Sequence, residues 1–70
     1  MKIILNGDSF KEISHLLYDG KRNYLAGVLS VDWFGETSIP TTFEIDCNET
    51  FGSALIDIMK DRTVPFDINT

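Results

Sequence analysis

The chain has 70 residues, of which 43% are apolar and 24% charged, and its formal net charge is −5. This length predicts one domain over residues 1–70, and the apolar content excludes a disordered chain. The negative charge disfavours direct contact with nucleic acid or an anionic membrane, and it favours a protein partner with a basic surface.

The cysteine content and the hydropathy pattern predict a cytoplasmic protein. Cys47 is the single cysteine, which excludes an internal disulfide and fits a reducing compartment. Residues 1–7 lack the apolar run and cleavage site of a signal peptide. No apolar stretch approaches the ~18 residues that a membrane span needs, so we expect no membrane association.

The first third of the chain predicts a strand followed by an amphipathic helix. Residues 2–5 form a short apolar run that ends at the Asn6-Gly7 turn signal. Ser9 and Glu12 then match a capping box. We therefore expect a helix over residues 10–18, ended by Gly20.

Two alternating runs, residues 24–34 and 41–47, predict a β-hairpin with its turn at residues 35–40. Keeping apolar side chains on one face fixes a register, because a slip of one residue would reverse the faces. The expected pairs on the apolar face are Trp33 with Thr41, Val31 with Phe43 and Leu29 with Ile45. On the other face, they are Asp32 with Thr42, Ser30 with Glu44 and Val28 with Asp46.

The last third predicts a second helix and a final strand. Asn48 or Thr50 can cap the helix, and its apolar face is expected to hold Phe51, Ala54, Leu55, Ile58 and Met59. Val64, Phe66 and Ile68 alternate as a strand, and Pro65 places that strand at a sheet edge.

The order β-α-β-β-α-β predicts a ferredoxin-like α+β fold, with two helices on one face of a four-stranded antiparallel sheet. Right-handed crossovers would place the first and third strands in the centre.

The acidic residues are concentrated in the middle of the chain. Residues 23–59 contain no Lys or Arg but six acids, namely Asp32, Glu36, Glu44, Asp46, Glu49 and Asp57. The hairpin register gathers several of them on the sheet face opposite the helices, which predicts an apolar patch rimmed by carboxylates. The expected partner-binding residues are Asp32, Glu36, Glu44, Asp46, Tyr24 and Val28. The alternative is an ordinary solvated face.

No residue pattern predicts catalysis, a metal site or a cofactor. His15 is the single histidine and falls on the solvent side of the first helix, and Cys47 is expected to be a small core residue. A calcium-loop frame beginning at Asp46 has Phe51 where the sharp turn needs glycine. We therefore expect a protein that is not an enzyme, and an enzyme with a sparse site is the third alternative.

The segment Ile4-Leu5-Asn6-Gly7-Asp8-Ser9-Phe10-Lys11-Glu12-Ile13-Ser14-His15-Leu16 resembles the N-terminus of barstar-type ribonuclease inhibitors. Those proteins also begin with a strand, an Asn-Gly and an acid, and then a helix with an Ile-Ser step. The resemblance covers about the first 17 residues; beyond it, the family has a helix where residues 24–34 predict a strand. It implies a small acidic protein that blocks a basic nuclease.

The sequence therefore predicts a non-enzymatic inhibitor or regulator that binds another protein, such as the basic nucleic-acid-binding surface of a nuclease. Phage counter-defence proteins, including anti-CRISPR proteins, are small acidic chains of this general type, so that comparison is one of size and charge. The alternative is a structural or assembly subunit, a homodimer joined at the edge of the second strand.

Overall fold

The computed structural model describes residues 1–21, 23–36 and 39–69. Along the chain its elements are β1 (Lys2–Asn6), α1 (Gly7–Ile13), a 3₁₀ turn (Ser14–Leu16), β2 (Val28–Glu36), β3 (Ile39–Cys47), α2 (Glu49–Asp61) and β4 (Asp67–Asn69). The strands form one antiparallel sheet in the order β2-β3-β1-β4. The predicted α+β class is confirmed, with β1 and β3 at the centre of the sheet.

Both helices and one face of the sheet share a single buried cluster. Its members are Ile3, Leu5, Ile13, Leu17, Val28, Ile45, Cys47, Leu55, Met59 and Val64. Because strand side chains alternate, the residues between them lie on the opposite face. We call this the open face, and its residues are Lys2, Ile4, Asn6, Ser30, Asp32, Phe34, Thr42, Glu44, Asp46, Asp67 and Asn69. Every one of them is exposed or partly exposed.

Helix α1 starts earlier than its capping-box pattern predicts. Asn6 is the N-cap, and its Oδ1 accepts a hydrogen bond from the Ser9 backbone N–H at 2.7 Å. The predicted start at residue 10 was wrong because the Asn6 side chain satisfies the first free donor and Gly7 continues directly as helix. Ser9 is consequently buried inside the first turn.

Helix α2 is capped by Asn48, whose Oδ1 accepts from the Phe51 N–H at 2.8 Å. Its buried residues are Gly52, Leu55 and Met59, and Ile56 packs against the core. The expected inward position of Ala54 was wrong, because α2 is rotated so that the small Gly52 faces the sheet.

Strand β2 begins at Val28 instead of residue 24. Gly27, at φ +103°, and the hydrogen bond from the Val28 N–H to the Leu25 carbonyl form a turn that interrupts the chain there. An irregularity between Val28 and Ser30 leaves Leu29 unpaired, as in a β-bulge.

The observed pairs are Ser30 with Asp46, Val31 with Ile45, Asp32 with Glu44 and Trp33 with Phe43. Each of these β2 residues pairs with a β3 residue two positions later than expected. The reason is that the strand pairing extends to Glu36 and Ile39, and its register shifts between Phe34 and Gly35. A slip of two residues keeps each side chain on its face.

Strand β4 is shorter than the alternation of residues 64–68 predicts. The Val64 N–H donates to the Met59 carbonyl at 2.8 Å, and the Thr63 N–H donates to the Lys60 carbonyl at 3.2 Å. These two bonds form a Schellman motif that ends α2, with Thr63 left-handed at φ +58°. Val64 therefore belongs to the end of α2, and its side chain is buried in the core. Pro65 follows it and precedes β4, which lies at the edge of the sheet.

Replacing Thr63 by glycine is expected to raise the free energy of unfolding by about 0.5–1 kcal/mol, since a β-branched residue is strained at positive φ. Ser53→Gly, at an exposed position inside α2, should instead lower it, because glycine costs more backbone entropy there. Urea unfolding of both variants checks the pair. A lower midpoint for Thr63→Gly than for the parent protein would contradict the strain argument.

Candidate protein-binding face

The open face carries far more negative than positive charge. Its ionisable side chains are Asp32, Glu44, Asp46, Asp67 and Lys2. The remaining lysines of the described residues lie on the helices or in the loop that follows α1. The charge imbalance expected from the sequence is thus concentrated on one side of the sheet.

Within this face, the acids of β2 and β3 lie next to one another. Asp32 is directly opposite Glu44 in the ladder, an arrangement in which two like charges repel. The Lys2 Nζ lies 3.4 Å from the Glu44 Oε1, and it forms the one ion pair found among the described residues. Because this pair is partly exposed, it offsets little of the repulsion. Asp32 is separated from Lys2 by the full width of β3.

Apolar side chains flank the carboxylates. Phe34 is 53% exposed on the open face, opposite Thr42. Near the other edge, a shallow depression of about 300 Å³ is lined by Ile4, Leu5, Asn6, Thr42, Pro65, Phe66 and Asp67. The face therefore combines charge with exposed apolar surface, as protein-binding surfaces commonly do.

The structure brings Asp32, Glu44 and Asp46 together on the open face, where the alternation placed them. Two other predicted members were misplaced. Val28 is only 8% exposed, because the bulge at Leu29 turns it into the core opposite Cys47. Tyr24 lies outside β2.

Tyr24 belongs to the connection between α1 and β2. It forms an isolated bridge with Tyr18, and the two rings stack at 5.5 Å. The turn before Val28 removes it from the sheet. The sixth predicted residue, Glu36, pairs through its backbone with Ile39, and its side chain lies outside the described part of the structure.

The sequence prediction of the open face did not include its other charged and large apolar residues, Lys2, Phe34 and Asp67. The same alternation that placed Ile3 and Leu5 in the core puts Lys2 on the opposite side. Phe34 follows Asp32 by two residues, and Asp67 falls between two inward positions. In all three cases, the period-two alternation of strand side chains predicts a position on the open face.

Cys47 has the properties of a structural thiol. It is buried, and burial raises its pKa, helped by the neighbouring Asp46 carboxylate and opposed by the N-terminal ammonium. The Met1 ammonium donates to the Cys47 carbonyl at 2.8 Å. A buried neutral thiol lacks the accessible thiolate that nucleophilic chemistry requires.

Within residues 1–21, 23–36 and 39–69, no group of three or more His, Cys, Asp or Glu side chains is arranged to hold a metal ion. His15 is exposed. Neither described helix has the length and apolar character needed to cross a bilayer.

Comparison of the chain with protein-family models finds no match, and comparisons with curated proteins and with solved structures likewise find none.

Proposed function

We propose that this protein is a non-enzymatic inhibitor or regulator that binds a basic surface of another protein through its open face. The observation that carries this proposal is the adjacency of Asp32, Glu44 and Asp46 on β2 and β3, with Lys2 as the one described cation among them. The proposed fold is the ferredoxin-like arrangement, which is supported by the element order and by the strand order β2-β3-β1-β4.

The spacing of these carboxylates suits a site built for nucleic acid. Neighbouring strands lie about 4.8 Å apart, and side chains on one face recur about every 6.6 Å along a strand. Charges at such intervals can engage several Lys or Arg side chains of a phosphate-binding groove at once. We therefore propose the nucleic-acid-binding surface of a nuclease as the target, in a cytoplasmic, anti-CRISPR-like or other phage counter-defence setting.

Binding would also relieve the repulsion between Asp32 and Glu44, since the ion pair found among the described residues involves Glu44 and not Asp32. A cationic side chain placed between the two would gain from both charges. The electrostatic gain should appear mainly in the association rate, since long-range attraction steers the encounter.

The test compares the parent protein with two variants that each lose three negative charges. The first, Asp32→Asn with Glu44→Gln and Asp46→Asn, neutralises the open face. The matched control, Glu12→Gln with Asp57→Asn and Asp61→Asn, neutralises exposed acids on the helices. Partners captured by the parent protein are purified, and their association rates are measured across a range of ionic strength.

The open-face variant should associate about tenfold or more slowly at low salt, with a flatter salt dependence. The control should stay close to the parent protein, although its net charge equals that of the first variant. Equal rates and equal salt slopes for all three proteins would mean that the open face is only a solvated surface.

A second function, an assembly subunit that forms a homodimer, is favoured by one observation: β2 is an edge strand with exposed apolar side chains. Sedimentation equilibrium distinguishes this function from the first. An apolar dimer would persist at high salt, whereas charge-steered binding to a basic partner would weaken.

A further inference from the structure

The outer edge of β2 is unpaired. β2 is the terminal strand of the sheet, and among the described residues only β3 pairs with it. Between the two irregularities of the hairpin, Ser30–Phe34 forms an uninterrupted ladder with Thr42–Asp46. In an antiparallel pair, alternate residues direct their N–H and C=O groups away from the neighbouring strand. This segment therefore presents a regular row of backbone donors and acceptors to solvent.

The side chains along this edge are unusually apolar for an unpaired strand. Trp33 and Leu29 are each 65% exposed, and Phe34 is 53% exposed. Edge strands are commonly protected by charged residues, proline or bulges. β2 contains no lysine or proline, and its two irregularities lie outside Ser30–Phe34, which carries the single charge of Asp32. Trp33 lies on the helix side, opposite Phe43, whereas Phe34 lies on the open face. Both sides of the edge thus offer apolar surface.

The charges beside this edge indicate what a pairing strand would carry. On the open face, the position next to Asp32 is close to the Asp32–Glu44 pair. Among the described residues, the one ion pair of these two acids is between Glu44 and Lys2, on the side away from β2. A Lys or Arg there would be attracted by both carboxylates. On the helix side, the positions next to Val31 and Trp33 would take apolar side chains.

We propose that the edge of β2 at Ser30–Phe34 accepts an extended segment of a protein partner by strand addition, and that this segment alternates basic and apolar side chains. Backbone hydrogen bonds hold the segment, the basic residues face Asp32, and the apolar residues cover Trp33. This inference rests on the proposed function, because it takes the partner to be basic, and it adds the mode of binding.

A second copy of this chain fits the edge less well than a basic segment. Each of the two copies has a net charge of −5 over the whole chain, and each β2 carries Asp32 in the middle of its regular ladder. Self-pairing would therefore bring acidic residues together, whereas a basic segment would neutralise them.

The experiment uses three capped peptides of roughly eight residues, the length of an ordinary strand. One alternates lysine and valine, one has glutamate in place of lysine, and one is the lysine peptide with alternate backbone nitrogens methylated. Trp33 is the single tryptophan, so its fluorescence reports contact at the edge. Amide chemical shifts and hydrogen exchange locate the contact along β2.

The lysine peptide should shift the Trp33 emission to shorter wavelength and slow amide exchange within residues 30–34. Asp32→Asn should weaken its binding about two- to fivefold, whereas Asp57→Asn on α2 should leave it unchanged. The glutamate and methylated peptides should not bind measurably.

Each contrary result has a distinct meaning. If the methylated peptide binds as tightly as the lysine peptide, strand addition is wrong, while the acidic face keeps its proposed role. If the glutamate peptide binds equally well, the basic partner is wrong, and the proposed function loses its support. If the free chain doubles in mass with concentration and already protects its β2 amides, a second copy occupies the edge.

Discussion

Replacing Leu55 by alanine is expected to lower the free energy of unfolding by about 2–5 kcal/mol. Leu55 is 2% exposed and lies in the buried cluster between α2 and the sheet. The loss combines the transfer energy of the removed methyl groups with the cavity left among its rigid neighbours. At roughly 0.05–0.15 kcal/mol per residue, a chain of 70 residues has a total stability of about 3.5–10 kcal/mol, so this loss removes a large fraction of it.

Ile58→Ala is the matched control on the same helix. Ile58 is only partly buried and lies outside the cluster that holds Leu55 and Met59. Its truncation should cost clearly less, although the residue type is equally apolar. Denaturant unfolding followed by circular dichroism measures both losses. Equal losses would show that α2 is rotated differently against the sheet.

Replacing Gly27 by alanine should be the most damaging single change outside the core. Gly27 has φ +103°, and a Cβ there would lie 2.7 Å from the Phe51 Cβ and 3.0 Å from the Asn48 Oδ1. The Gly27 carbonyl also accepts from the Asn48 N–H at 2.8 Å. Backbone strain of this kind costs about 1–3 kcal/mol, and displacement of the α2 cap adds to it.

Gly20→Ala separates the two contributions. Gly20 also has a positive φ, +84°, but an added Cβ meets nothing within 4 Å. The free energy of unfolding should therefore fall only by the backbone strain of a non-glycine residue at positive φ, about 1 kcal/mol. Thermal melts of both variants give the difference between them. If Gly20→Ala were as destabilising as Gly27→Ala, the close approach of Gly27 to α2 would have no energetic weight.

The faces of the central strands follow from the sequence because their side-chain alternation is local. Ile3 and Leu5 point inward for the same stereochemical reason that Glu44 and Asp46 point outward. A two-residue error in the hairpin register left this assignment unchanged, since the side-chain period is two. The acidic cluster could therefore be predicted without knowledge of the pairing.

Helix boundaries were harder to predict because several residues compete for each end. The sequence pattern predicts Ser9 as the N-cap of α1 and Asn6 as part of a turn, whereas the observed N-cap is Asn6. At α2 the two candidates, Asn48 and Thr50, are both favoured N-cap residue types, with asparagine ranking above threonine. Asn48 prevails, and its N–H also bonds to the Gly27 carbonyl from another part of the chain.

The amino-acid sequence was sufficient to predict the α+β class, the order of the elements and the position of Asp32, Glu44 and Asp46 on one face. These properties depend on residue type and on periods of two or about 3.6 residues, which any short segment carries within it. The inward position of Val28 and the position of Tyr24 outside the sheet, in contrast, depend on contacts made in the folded protein. Both depend on the turn at Gly27 and the bulge at Leu29, where β2 meets Cys47 of β3 and the start of α2. Packing between elements distant in sequence sets that geometry; within residues 24–34, Gly27 signals an interruption of the strand but not the direction in which the chain turns.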